Sequence, residues 1–135
     1  MPKVIAKAGD LIAIPLDGQF VIGRVIFVSN IFEEIMQIEF RGPFKNENDS
    51  WQNGDEIFTL FTAASKFAKR GWKIVDTGIS QEDDIDKTLR IIADDVWLED
   101  KIVRKANSED MKKIKTMYVD GFIRVEKLLR KALGN

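Results

Sequence analysis

The side chains able to do chemistry in this sequence are carboxylates, amines and hydroxyls, because its 135 residues include no Cys and no His. Without Cys there are no disulfides, thiolate nucleophiles or thiolate metal sites. Without His the commonest general base near neutral pH, which is also the commonest metal ligand, is missing. What remains is an acidic run, Glu82, Asp83, Asp84 and Asp86, and two acidic pairs, Asp94-Asp95 and Glu99-Asp100, with lysines and a single tyrosine, Tyr118. The run offers hard oxygen ligands to a divalent cation. It lacks the alternating spacing and the glycine of a calcium loop, so it reads as a solvated loop. The two pairs have the composition of a general acid and base. Set between short apolar runs, they read instead as turn residues, since Asp accepts hydrogen bonds from its own backbone. No Gly-x-Gly or Gly-Lys-Ser/Thr pattern leads into a helix, so no phosphate loop is expected. The residues point away from an enzyme, and no cofactor and no metal is assigned.

Charge gives a stronger signal than any motif. The net charge is −1, yet residues 1–75 are neutral, residues 76–100 carry nine acidic side chains against two basic ones, and residues 101–135 carry ten basic against four acidic. Segment charges of −7 and +6 can steer a charged partner even when the total is near zero. Two basic groups, Lys66, Lys69 and Arg70 beside Trp72, and Lys112, Lys113 and Lys115, have the make-up of a phosphate contact. A pI near 5.6 argues against nucleic acid as the main partner, as do aromatics lodged in apolar runs that read as core.

The elements that must position these residues begin with Asp10–Leu16 and Gln19–Val28, two apolar runs on either side of Asp17-Gly18, the strongest short hairpin signal. Pro15 cannot donate to a ladder, so the first strand is expected at an edge or ending in a bulge. Gly23 marks a bend or a close backbone approach, and Arg24 is the one charge in the second run. A third strand spans 35–40 and stops at Gly42-Pro43, and 45–54 is a polar loop carrying Trp51. Residues 57–61 suit a strand or the start of a helix. A short helix over 62–70 is expected to end at Gly71 with basic residues in its last turn. A strand at 72–75, an acidic loop at 76–86 and a β-meander over 88–93, 96–98 and 101–104 follow. Asn107 is an N-cap with Asp110 three residues on. From there apolar residues between Met111 and Leu133 recur at steps of three and four, predicting one amphipathic helix of about six turns, interrupted at most by Gly121.

Length and a 44% hydrophobic content fit one domain over 1–135 with an ordinary core. The fold class predicted is α+β: an N-terminal curled, small barrel-like antiparallel sheet with a short helix, a meander, and a long C-terminal amphipathic helix. Met1–Lys7 has too short an apolar part for a secretory signal, and charges interrupt every apolar run, so a cytoplasmic protein with no membrane partner is expected.

The block Gly9–Gly18 followed by Phe20-Val-Ile-Gly-Arg-Val25 resembles the opening of the immunity protein 26 family of bacterial polymorphic toxin systems, which include contact-dependent growth inhibition. Lys69–Val75, the strand around Leu89–Ile92 and the closing amphipathic stretch are similar in order and spacing. The resemblance implies a mainly β immunity protein that neutralises a cognate toxin domain in a tight stoichiometric complex. It implies no catalytic residues. The contact surface expected from the charge pattern is the acidic group Glu82, Asp83, Asp84, Asp86, Asp94, Asp95, Glu99 and Asp100, facing a basic toxin such as a nuclease. The alternative is a small β-barrel that binds nucleic acid.

Overall fold

The two runs flanking Asp17-Gly18 pair as antiparallel strands β1 (Leu11–Leu16) and β2 (Gln19–Val28), with Leu16 opposite Gln19. Asp17 and Gly18 have φ of 52° and 88°, the positive values that a type I′ turn requires at both central positions. β3 (Ile35–Phe44) and β4 (Asp55–Ala63) extend the pairing outward, and β5 (Lys73–Asp76) adds on the far side of β1. The resulting order is β4-β3-β2-β1-β5, antiparallel throughout. A second sheet of three antiparallel strands, β6 (Arg90–Ile92), β7 (Asp95–Leu98) and β8 (Lys101–Lys105), is the predicted meander. The helices are α1 (Asp84–Lys87), α2 (Ser108–Lys113) and α3 (Phe122–Ala132). This computed structural model describes residues 4–134; residues 1–3, which begin the Met1–Lys7 segment, and residue 135 lie outside it.

Strand alternation sorts the side chains of the large sheet onto two faces. Ile12, Ile14, Leu16, Val21, Val25, Ile38 and Phe40 form one buried cluster with Val125 and Leu129 of α3. Leu11, Ala13, Ile22, Phe44 and Trp51 cluster apart from it, on the alternate positions. Each fully buried aliphatic side chain contributes roughly 1.5–3 kcal/mol. Glu126 fastens α3 in place: its carboxylate accepts from Arg70 Nε (3.1 Å) and from Trp72 Nε1 (2.8 Å).

Several boundaries differ from the sequence reading, each for a local reason. The large sheet is open, with edges at β4 and β5, and not a closed barrel. β1 has neighbours on both sides. Pro15 is accommodated because β5 pairs only with Leu11, Ile12 and Ala13, leaving nothing beside Pro15 that needs its missing donor. β3 does not stop at Gly42-Pro43 but continues through them to Phe44, opposite Phe20. Residues 62 and 63 belong to β4, so the helix expected over 62–70 shrinks to a 3-10 turn at Phe67–Arg70, closed by Gly71 in the left-handed region.

The largest correction concerns the six-turn helix. The Asn107–Asp110 capping box starts α2 as expected, but the helix lasts six residues. Residues 114–120 then run as an extended strap, and Gly121 is the N-cap of α3. The strap pairs in parallel with β6 at Ile91–Thr116 and with β4 at Phe61–Val119. Its hydrogen bonds to Ile91 (2.9 and 2.8 Å) and to the Phe61 carbonyl (2.9 Å) replace those a helix would have supplied. β-Branched Ile114, Thr116 and Val119 favour this geometry. Within the apolar stripe, Val125 and Leu129 are core, whereas Met111 is 49% and Tyr118 74% exposed.

Gly23 is a close backbone approach. A Cβ there overlaps Ile38 Cδ1 and comes within 2.6 Å of Ile38 Cγ1 and 2.9 Å of Phe40 Cδ1, all on fully buried side chains. Gly23→Ala should therefore lower stability by about 1–3 kcal/mol through overpacking. The check is urea unfolding, with a lower midpoint and an unchanged slope; an unchanged midpoint would mean that the Ile38 side chain vacates the space.

Candidate functional site

The second face of the large sheet carries a polar row where the first is apolar. Arg24 on β2 stands opposite Glu39 on β3, and Gln37 and Arg41 flank Glu39 on the same face. The Arg24 side chain has no solvent exposure. Its guanidinium holds Asp84 bidentately, Nη1 to Oδ2 at 2.8 Å and Nη2 to Oδ1 at 2.7 Å, and Nη2 also reaches Glu39 Oε1 at 3.3 Å. Nη1 donates to the Ile79 carbonyl at 3.3 Å, and the group lies 5.1 Å from the Trp51 ring centroid. Lys87 Nζ completes the cluster, 3.2 Å from Glu39 Oε2 and 2.9 Å from Gln81 Oε1. Two cations and two carboxylates thus neutralise one another beneath the segment that carries α1. Burial pushes the Asp84 carboxyl up, but the bonds from Arg24 and from the Gln81 amide outweigh it and hold its pKa below the ordinary 3.8.

Above this cluster lies a groove of about 630 Å³. Its floor is the β3–β4 face at Gln37, Glu39, Thr59 and Phe61, one wall is α1 with Asp86 and Lys87, and the other is the strap with its lysines and Tyr118. Arg90 closes one end. Its guanidinium, 2% exposed as a residue, lies 5.4 Å and 5.3 Å from the Phe27 and Phe61 ring centroids, and its Nη1 donates to the carbonyls of Thr88 (2.9 Å) and Glu99 (2.6 Å). Burial pulls the pKa of this guanidinium down, opposed by the charge of Asp100. Leu89, Ile114 and Met117 give the groove an apolar lining between Asp86 on one rim and Lys113 and Lys115 on the other. Among the described residues nothing hydrogen-bonds the Tyr118 hydroxyl, which stands free at that rim.

The eight acidic candidates do not share one face. Asp84 is turned inward onto Arg24. Asp100 is occupied by the β2–β3 loop, accepting from Ser29 Oγ at 2.6 Å and the Asn30 amide at 2.7 Å. Glu82, Asp83 and Asp86 are exposed around α1, with Asp83 3.7 Å from Lys87. Asp94 lies in the β6–β7 turn and Asp95 begins β7, whereas Glu99 and Asp100 form the β7–β8 turn at the other end of the meander. Four strand residues separate these ends by ~13 Å. α1 belongs to the Glu99 end, because the Glu99 amide donates to Thr88 Oγ1 at 2.8 Å. Among the described residues no group of Asp or Glu is arranged to hold a metal ion.

Sequence reading missed Arg24 as the organising residue. The signal was present, a lone charge in a ten-residue apolar strand, and buried charges are almost always paired. Its partner, sixty residues away, has no marker that separates it from its acidic neighbours. No protein-family model, curated protein or solved structure matches this chain.

Without Asp84 the buried Arg24 keeps only Glu39, which Lys87 shares, so the cluster is left with an excess positive charge and Asp84→Asn should lower stability at neutral pH by about 3 kcal/mol. The pH dependence follows from the depressed pKa of Asp84. Its contribution is fully present above the ordinary carboxylate range and is lost as pH falls through the folded value. The unfolding free energies of wild type and variant should therefore converge as pH drops below about 4. Denaturant melts at stepped pH test this, and a constant gap between the two proteins down to acid unfolding would contradict it.

Proposed function

We propose that the protein is an immunity protein, which neutralises a cognate bacterial toxin by binding it in a tight stoichiometric complex. The observation that carries this reading is the two-signed rim around an apolar groove. Asp86 stands on the α1 side, Lys113, Lys115 and Tyr118 stand on the strap side, and the ionisable groups beneath are already neutralised by one another. A rim of both signs discriminates among protein surfaces, which carry both signs themselves, and adds orientation to encounter. Glu82, Asp86 and Glu99 remain free at the α1 end to face a basic toxin, and among the described residues none of them forms an ion pair. The resemblance of the N-terminal block to the immunity protein 26 family supports the same reading, as does a scaffold whose buried charges serve its own packing.

A second reading, binding of single-stranded nucleic acid, is favoured by one observation: Tyr118 stands exposed in the same groove wall as Lys113 and Lys115. The charge of the opposite rim speaks against it.

The test co-expresses this chain with a candidate toxin domain taken from a neighbouring reading frame. Wild type should protect growth and elute as a 1:1 complex, while Asp86→Lys and Lys115→Glu should each weaken the complex by roughly tenfold, about 1.4 kcal/mol. Failure of the wild type to bind or protect would end this proposal. Salt-dependent retention on single-stranded RNA or DNA, lost in Lys115→Glu, would replace it with the second reading.

A further inference from the structure

Among the described residues β8 ends the three-stranded sheet with a strand partner on one side only, since β7 fills its inner edge. The opposite end of that sheet, β6, is covered by the strap through the Ile91–Thr116 bridge. All five β8 residues are exposed, and two of them are β-branched hydrophobics, Ile102 at 56% and Val103 at 49%. Ile102 lies opposite Trp97, whose ring packs against Phe32 with centroids 5.6 Å apart, and Ile31 next to Phe32 is 58% exposed. The open edge therefore borders an aromatic centre with an apolar margin, the composition found at the middle of protein interfaces.

Lys101 and Lys105 stand at the two ends of this edge, and among the described residues neither forms an ion pair. The ladder to β7 passes from Arg104 opposite Val96 to Ile102 opposite Trp97, which leaves Val103 as a bulge. Lysines and bulges are the devices that keep edge strands from joining copies of themselves. Antiparallel pairing of two β8 strands about Val103 would set Lys101 of one copy against Lys105 of the other at both ends, and like charges directly opposite are destabilising. Against a strand bearing carboxylates the same two lysines attract. A purely guarded edge has no use for Ile102 and Val103 in water; a docking edge does.

We propose that β8 receives an extended acidic segment of another protein as a fourth strand of the meander. The incoming backbone takes up the free N–H and C=O groups of β8, its carboxylates meet Lys101 and Lys105, and an apolar side chain packs beside Ile102. β8 contributes nothing to the lining of the groove, so this edge stands whether or not the groove binds a toxin.

The test adds two synthetic peptides of about six residues, one alternating Glu with Val and one alternating Lys with Val, to the full-length protein. The Glu/Val peptide should slow amide hydrogen exchange across residues 101–105 and bind roughly tenfold more tightly than the Lys/Val peptide. Lys101→Glu combined with Lys105→Glu, both on exposed side chains, should invert that preference with an unchanged circular dichroism spectrum. Asp86→Lys in the groove should leave it as it was. The proposal fails if millimolar Glu/Val peptide gives no protection at β8, or if the double charge reversal leaves its affinity unaltered. It fails equally if sedimentation shows a wild-type dimer that the same two substitutions dissolve, since a second copy is then the occupant.

Discussion

A guanidinium with no access to water sits on the middle strand of the large sheet, and the rest of the molecule is arranged around making that tolerable. An uncompensated charge at such a site costs several kcal/mol, so the sheet reaches its final state only once Asp84 and Glu39 lie against Arg24. Glu39 comes from the adjacent strand, but Asp84 must be delivered from sixty residues away. That requirement explains α1. A helix of four residues whose N-cap Asp83 makes no capping bond has no stability of its own; it exists because Asp84 is anchored. Once α1 is in place, its Lys87 carbonyl accepts from Gln37 Nε2 at 2.8 Å, and the next residue, Thr88, accepts from the Glu99 amide. Arg90 then ties Thr88 and Glu99 together through their carbonyls. One buried charge thus fixes a groove wall and the β7–β8 turn in a single chain of contacts.

The opposite wall is positioned by backbone rather than by charge. The strap uses its own amides and carbonyls to bridge β6 and β4, and Thr62 Oγ1 locks its end by donating to the Asp120 carbonyl at 2.5 Å. An amphipathic helix in its place would have put Met117 and Tyr118 on one apolar stripe. As a strap, the same residues alternate, so Met117 is half-buried and Tyr118 lies open beside Lys115. The surface chemistry of this wall follows from the failure of the helix to continue.

That failure also marks where the sequence stops being legible. Local signals survived because local energies decide them: the positive φ at Asp17-Gly18, the left-handed Gly71, the Asn107–Asp110 box and the alternation of Ile12, Ile14 and Leu16. Signals that need a distant partner did not. The spacing from Met111 to Leu133 satisfies a helix, yet pairing with Ile91 and Phe61 offers residues 114–120 the same hydrogen bonds in extended form, and β-branched side chains tip the balance. Thr62 to Arg70 reads as helical until β4 claims its start. For the candidate site, composition located the acidic segment but not the direction of its side chains, so Asp84 and Asp100 were grouped with residues that face water. The groove itself was invisible, because its walls come from segments that share no pattern.

The charge of residues 76–100 acts differently once these positions are known. Interactions between exposed charges fade over a screening length of ~8–10 Å at physiological salt, and the two turns of the meander lie ~13 Å apart. Asp94 and Asp95 therefore add little to the field at the other end of the meander. Glu82, Asp86 and Glu99 share that end with the groove, while Asp84, neutralised by Arg24, adds little field outside, and Asp100 is held by the β2–β3 loop. The opposing basic excess of residues 101–135 divides in the same way. Arg104 is held by Asp110 at 2.7 Å and Lys113, at the groove edge, by Glu109 at 2.8 Å, while Lys115 also edges the groove and Lys101 and Lys105 bracket β8. Among the described residues no ion pair joins the two oppositely charged segments; each is neutralised in part within itself or by residues 1–75, and both signs stand around one groove. Such an arrangement presents shape and charge together on one surface, as the proposed binding role requires.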